Sequence, residues 1–279
     1  MRTDSDIAAI GPSHRDDEPS ITGTGTRFAN VLRSEVCKLG TVRSTYWSMI
    51  AAAGFMLAFA GLEAVFLPSR LSDHSKQTLD AVRVSLGGSH LAQIAFGVLG
   101  VLVITSEYSS GMVRATFSAV PRRNIVLGAK ATVFAGVSVV VGTVASFAAY
   151  FLFQALLSGD ALRSSISDPG VLRALVGGGL YFAVLGLLGL GLGAIIRASS
   201  GAIAALFSLL FIPQVLTELL PDAWKDSVGR YVPMQAGAQI FSQRSEPGMP
   251  SPWTGFAVFS AYAAVALLVG FVLLDRRDA

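Results

Sequence analysis

Charge is scarce in this sequence: only 14% of its 279 residues are charged, where soluble domains carry about 25%. A chain so poor in charge lacks the polar surface to cover itself in water. Cysteine is nearly absent. The single Cys37 excludes an intrachain disulfide, and its place ahead of the first apolar run fits a reduced cytoplasmic thiol with no special role. His14, His74 and His90 stand far apart and neither HExxH nor CxxC occurs, so no metal site is expected. A phosphate-binding loop is also missing. The nearest string, Gly128-Ala129-Lys130-Ala131-Thr132, lacks the upstream glycine and sits inside an apolar run. No Ser/His/Asp or Cys/His set can be assembled for hydrolysis. The sequence therefore predicts neither an enzyme nor a bound cofactor.

Apolar residues are what the chain has in excess, at 52%, with 29 glycines and a mean hydropathy of +0.60. The net charge of +3 and pI near 9.2 do not point to nucleic acid. The basic residues flank apolar runs instead of forming a patch with interleaved aromatics, so the expected contact is membrane lipid. Six runs approach the ~20 residues that cross a bilayer. They are Trp47–Leu67, Gly88–Ile104, Ile125–Leu157, Leu172–Ile196, Ala202–Leu220 and Trp253–Leu274. The expected fold is an all-α integral membrane protein of six transmembrane helices. Lys and Arg near the run ends favour both termini in the cytoplasm.

Residues 1–26 are polar and acidic, without the apolar core of a signal peptide, and are expected to form a disordered cytoplasmic tail. Residues 27–279 form the membrane domain. From Arg27 to Arg43, Phe28, Val31, Leu32, Val36 and Leu39 gather on one helical face with Arg33 and Lys38 off it. That pattern predicts an interfacial helix lying on the membrane. Gly186, Gly189 and Gly193 share a helix face, a small-residue spacing that lets backbones approach.

Glu63 and Glu218 are the acidic residues nearest the apolar interiors. A mid-bilayer carboxylate costs ~2.5–3.5 kcal/mol, so each could mark a substrate or proton path. Both lie within a turn of the outer boundary, which favours contact with headgroup water. His90 and Gln93, opening the second run, are candidate path residues weighed in the same way.

The longest polar interruption on the cytoplasmic side is Ser106–Arg123. Tyr108, Met112, Ala115 and Ala119 fall at i, i+4, i+7 and i+11, one helical stripe, before Pro121, Arg122 and Arg123 end it. Glu107-Tyr108-Ser109-Ser110-Gly111-Met112-Val113-Arg114, followed by Ala119-Val120-Pro121-Arg122-Arg123, resembles the first cytoplasmic loop of bacterial ABC permeases of the type 2 exporter class. The runs Ser34-Glu35-Val36-Cys37-Lys38-Leu39 and Arg43-Ser44-Thr45-Tyr46-Trp47 resemble the opening of the same family. The resemblance spans the chain except its tail. It implies a coupling helix between spans 2 and 3, docking on a separate cytoplasmic ABC ATPase subunit. It also implies a second permease copy or a sister permease, and a bacterial plasma-membrane location.

On that reading Tyr108, Met112 and Ala115 supply apolar contact and Glu107 and Arg114 a polar rim. Gly111 lies within the coupling helix, and Arg122 and Arg123 close it. Tyr231–Gly237, inside the outer loop 221–252, looks like the family's re-entrant helix pair, with an ordinary surface loop as the alternative. The implied function is ATP-driven export of an amphiphilic, lipid-like or drug-like substrate, with ATP bound by the partner. The alternative is a non-transporting scaffold or sensor whose loop recruits a cytoplasmic factor.

Overall fold

The computed structural model describes residues 24–41, 43–70, 79–112, 123–157, 162–219, 221, 227–244 and 248–276. Among them there is no strand. Helix α1 (Thr24–Thr41) leads into α2 (Arg43–Arg70), and the short α3 (Ala81–Ser85) precedes α4 (Ser89–Ser109). Then come α5 (Arg123–Leu156), α6 (Val171–Ile196) and α7 (Ser199–Glu218). A folded segment follows, with α8 (Pro233–Ala238) between single turns at Gly229–Tyr231 and Gln239–Phe241, and α9 (Pro252–Arg276) ends the bundle. Six of these helices, α2, α4, α5, α6, α7 and α9, are long and apolar enough to cross a membrane. This is a multi-pass membrane protein.

Each span overlaps its apolar run and differs from it at the ends, because helical hydrogen bonding does not start and stop where apolar residues do. Helix α4 continues past Ile104 to Ser109, taking Glu107 and Tyr108 into the span helix. The chain turns at Ser110 and at Gly111, whose φ of 73° is left-handed. Tyr108 and Met112 therefore do not lie on one uninterrupted helix, and the stripe expected from Tyr108 to Ala119 breaks there. Helix α7 starts at Ser199, leaving only Arg197 and Ala198 as a link from α6. Residues 1–23 of the expected tail, and residues 222–226 and 245–247 of the expected outer loop, lie outside the described residues.

Helix α6 is the centre. Of its most apolar window 67% is buried, against 22% for α2 and for α7. It packs on α4, α5 and α9. Its glycines make that possible. A Cβ on Gly189 would stand 2.6 Å from the Gly97 carbonyl oxygen of α4, and one on Gly193 would stand 2.8 Å from Ile104 Cγ2. The expected close packing of this face is what the structure has, with Gly100 of α4 against the Gly186 backbone. Gly189→Val should therefore force α4 and α6 apart and cost ~1–3 kcal/mol, or more where backbone must move. Gly54→Ala is the contrast, because its Cβ would meet nothing within 4 Å. A thermal melt in detergent checks the pair; equal midpoints would refute the tight α4–α6 contact.

The outer helices turn apolar side chains outward, among them Phe55, Val140, Val144, Val215 and Leu268, all more than half exposed. Such faces suit lipid. Tyr46 and Trp47, 65% and 66% exposed near the start of α2, are placed as interfacial aromatics are.

Spans alternate in direction, so one end of the bundle holds the starts of α2, α5 and α7 and the ends of α4, α6 and α9. There Ile104, Leu127, Leu190, Ala194 and Leu274 form a buried cluster. The opposite end is tied by hydrogen bonds to the segment after α8. Asp80 caps α3 through Arg83 N (3.0 Å) and also accepts from Gln243 N (2.6 Å). Arg173 donates to the carbonyls of Ser242 and Gln243 at 2.6 and 3.0 Å.

Residues 229–241 are no ordinary surface loop. Met234, Ala236, Gln239, Ile240 and Phe241 are buried, and Gly237 is wedged between Tyr181 and Phe259, where a Cβ would stand only 2.8 Å from each ring. The segment packs on α6 and α9, so its backbone has the protein cover that non-helical chain requires in a membrane protein.

Candidate functional site

The most unusual feature of the bundle is a lysine in an apolar helix. Lys130 lies in α5 between buried Val126, Leu127 and Ala129 on one side and Val133 on the other, and is itself 3% exposed. A lone buried ammonium would be strongly disfavoured, so it must have found anions. It has two. Its Nζ is 2.8 Å from Glu35 Oε2 on α1 and 2.6 Å from Glu107 Oε1 in the last turn of α4.

Lys38, one turn beyond Glu35 on α1, completes the group. Its Nζ lies 2.9 Å from Glu35 Oε1 and 3.0 Å from Glu107 Oε1. Two carboxylates and two ammonium groups thus alternate around a neutral cluster that joins α1, α4 and α5. Burial pulls the Lys38 ammonium downward, but its hydrogen bonds to Glu35 and Glu107 and their charges outweigh that. The group ends above its usual 10.5. A lysine raised on folding contributes stability in full below 10.5, and loses it only as pH climbs through the higher folded value.

A cavity of about 500 Å³ opens beside this cluster, between α1, α2, α4 and α5. Glu35, Lys38, Glu107 and Lys130 form its charged wall. Ser44, Ser48, Ser106 and Ser110 add hydroxyls, and Leu99, Leu102 and Val103 an apolar wall.

Tyr108 follows Glu107 inward. It is half-buried against the Ile104–Leu274 cluster, and the guanidinium carbon of Arg197 stands 5.3 Å from its ring centroid. Arg197 holds φ at 61°, left-handed for a non-glycine residue, where it caps α6 through its N–H to the Gly193 carbonyl at 2.8 Å. Ser199 donates to Thr105 at 2.8 Å across the same corner. The end of α4 is thereby held on three sides.

Of the expected coupling residues, Glu107 and Tyr108 are thus engaged within their own chain, Glu107 being only 7% exposed. Glu107 joins helices here and does not stand on an exposed rim. Gly111 forms the turn, and Met112 beyond it is 48% exposed. Arg114, Ala115 and Arg122 lie outside the described residues, as does the side chain of Arg123, whose backbone opens α5.

The expected path residues are not gathered. Gln93 is buried and accepts from the Tyr181 hydroxyl at 2.7 Å, with its amide 4.0 Å from Met234 Sδ, so it links α4, α6 and α8. His90 and Glu218 are exposed and Glu63 is half-buried, at the bundle end away from the ion cluster. Sequence reasoning missed Glu35, Lys38 and Lys130 as partners of Glu107. The available signal was Lys130 itself, an ammonium inside an apolar run that needs a carboxylate from elsewhere.

No family model matches the chain, and no curated protein matches it.

Proposed function

We propose that this chain is the permease subunit of an ATP-driven exporter of the ABC type 2 class, moving an amphiphilic, lipid-like or drug-like substrate. It lies in a bacterial plasma membrane with both termini in the cytoplasm, pairs with a second copy or a sister permease, and takes its driving force from a separate ATPase docked at the loop between α4 and α5. In that arrangement α1 is the interfacial helix and the 106–123 region is the coupling element.

The observation that carries the reading is the ion cluster. The loop leaves α4 at Ser110 and returns at Arg123, and Glu107 and Lys130 pair just inside its two ends, with Glu35 and Lys38 of α1 closing the group. A push on such a loop is delivered to α4, α5 and α1 together, because breaking a buried pair costs several kcal/mol while moving it whole costs little. A floppy recruitment loop needs no such bracing, which favours a transporter over a passive scaffold.

The test is reconstitution. Chain purified from native membranes with its co-purifying ATPase should move a fluorescent amphiphile across vesicles only with ATP, and chain stripped of that subunit should hydrolyse none. A cytoplasmic partner without Walker motifs, and no ATP-driven movement, would establish the scaffold instead.

A further inference from the structure

We infer that the cavity between α1, α2, α4 and α5 binds an uncharged amphiphile whose head is a polyol, a glycerol or a single sugar. Its hydroxyl lining is the reason. Thr45, only 9% exposed, lines the cavity, and its side chain makes no hydrogen bond among the described residues. Ser44 and Ser48, in the same opening turns of α2, also line it and make none among those residues. Each of these hydroxyls can both donate and accept. Hydroxyls that border a half-closed space and bond nothing of their own chain are available to a ligand.

On the α4 side, Ser106 and Ser110 differ. Each already gives its proton to α4 itself, at 2.6 Å to the Leu102 carbonyl and 2.8 Å to the Ser106 carbonyl. Their oxygens are left to accept. A head that satisfies both sides must therefore donate to α4 and accept from α2, and an alcohol group does both. A phosphocholine head, all acceptor, leaves the α4 oxygens unmet. An alkylammonium, all donor, leaves the α2 protons unmet. Charge gives the same answer. The adjoining wall sets carboxylates and an ammonium side by side, with Lys130 Nζ 2.8 Å from Glu35 and 2.6 Å from Glu107. An ion of either sign would meet its own charge there.

The rest of the lining is apolar. Leu99 is buried, Leu102 and Val103 are half-buried, and Met112 is exposed. A hydrocarbon chain leaving the head group can follow Leu102 and Val103 along α4 into lipid. Tyr46 and Trp47, both exposed beside Ser44 and Ser48, set the opening at headgroup depth. A volume of about 500 Å³ holds a glycerol or one sugar with the start of its chain.

Binding needs the folded chain and no partner subunit, so its failure and that of the permease reading are distinguishable. Full-length protein is held in polyoxyethylene-ether micelles, which carry few donors. It is titrated with monolauroylglycerol, dodecyl glucoside, fully O-methylated dodecyl glucoside, lysophosphatidylcholine and dodecylamine, and retention is read by native mass spectrometry. The glycerol or the sugar amphiphile should bind about tenfold or more tightly than the methylated glucoside, which keeps every oxygen but cannot donate. The tighter of the two identifies the head as glycerol or sugar.

Thr45→Val/Ser48→Ala should lose most of that binding without a lower melting midpoint, because neither hydroxyl bonds its own chain among the described residues. Equal binding of the polyol amphiphiles and the methylated glucoside by the unaltered chain overturns the proposal. So does tighter binding of lysophosphatidylcholine or dodecylamine, or full binding in the double variant.

Discussion

Lys130→Met is expected to destabilise the protein by about 3–5 kcal/mol, a fall of roughly 6–20 °C in the melting midpoint in detergent. The methionine fills the space, so the loss comes from what is left behind. Glu35 and Glu107, both under 10% exposed, would face each other with only the half-exposed Lys38 between them. Two carboxylates without sufficient countercharge cannot both stay ionised in such a place.

Lys130→Arg, which keeps the charge, should cost much less. Removing the whole core of the cluster in Glu35→Gln/Glu107→Gln/Lys130→Met should also recover much of the loss, since replacing a buried ionic set by neutral groups is often close to neutral. That triple variant separates stability from coupling. It should melt near the unaltered protein yet transport poorly, because α1, α4 and α5 would no longer move as one. A Lys130→Met protein that melts with the unaltered chain would show that the ion cluster does not hold these helices.

If the proposed ATPase docks at this loop, Met112→Asp is expected to weaken its binding more than a hundredfold while the chain still inserts and folds. Met112 stands 48% exposed just beyond the Gly111 turn, where the loop leaves the bundle. In the docked complex its side chain would enter the apolar contact, and a carboxylate there must be desolvated without a partner, at ~3–5 kcal/mol. The folded chain alone makes no such demand. Arg114→Ala should do less, since a rim charge contributes about 0–1 kcal/mol. Ser245→Asp, in the loop at the other end, should change nothing. Co-purification of the proposed ATPase with the tagged chain measures all three. Normal ATPase recovery with Met112→Asp would move the docking surface elsewhere.

Much of the architecture could be read from residue order. The six apolar runs became six helices because a segment of about twenty apolar residues has one way to satisfy its backbone in lipid. The spacing of Gly186, Gly189 and Gly193 likewise predicted a close-packed face, since a helix has one period and a missing Cβ acts locally. Helix ends were less legible. Glu107 and Tyr108 read as the start of a loop because they are polar, yet they complete α4, where Lys130, Lys38 and the Arg197 guanidinium receive them.

From the sequence alone came the membrane class, the number of spans and the position of the polar interruption between the second and third, all properties of composition and local periodicity. Tertiary structure alone decided which charges meet. Glu35, Lys38, Glu107 and Lys130 are drawn from three helices, with Lys130 separated from Glu35 by 95 residues. Nothing in local spacing can bring them together. Only the packing of α1 against α5 and α4 does so, and it leaves Lys130 almost no contact with water.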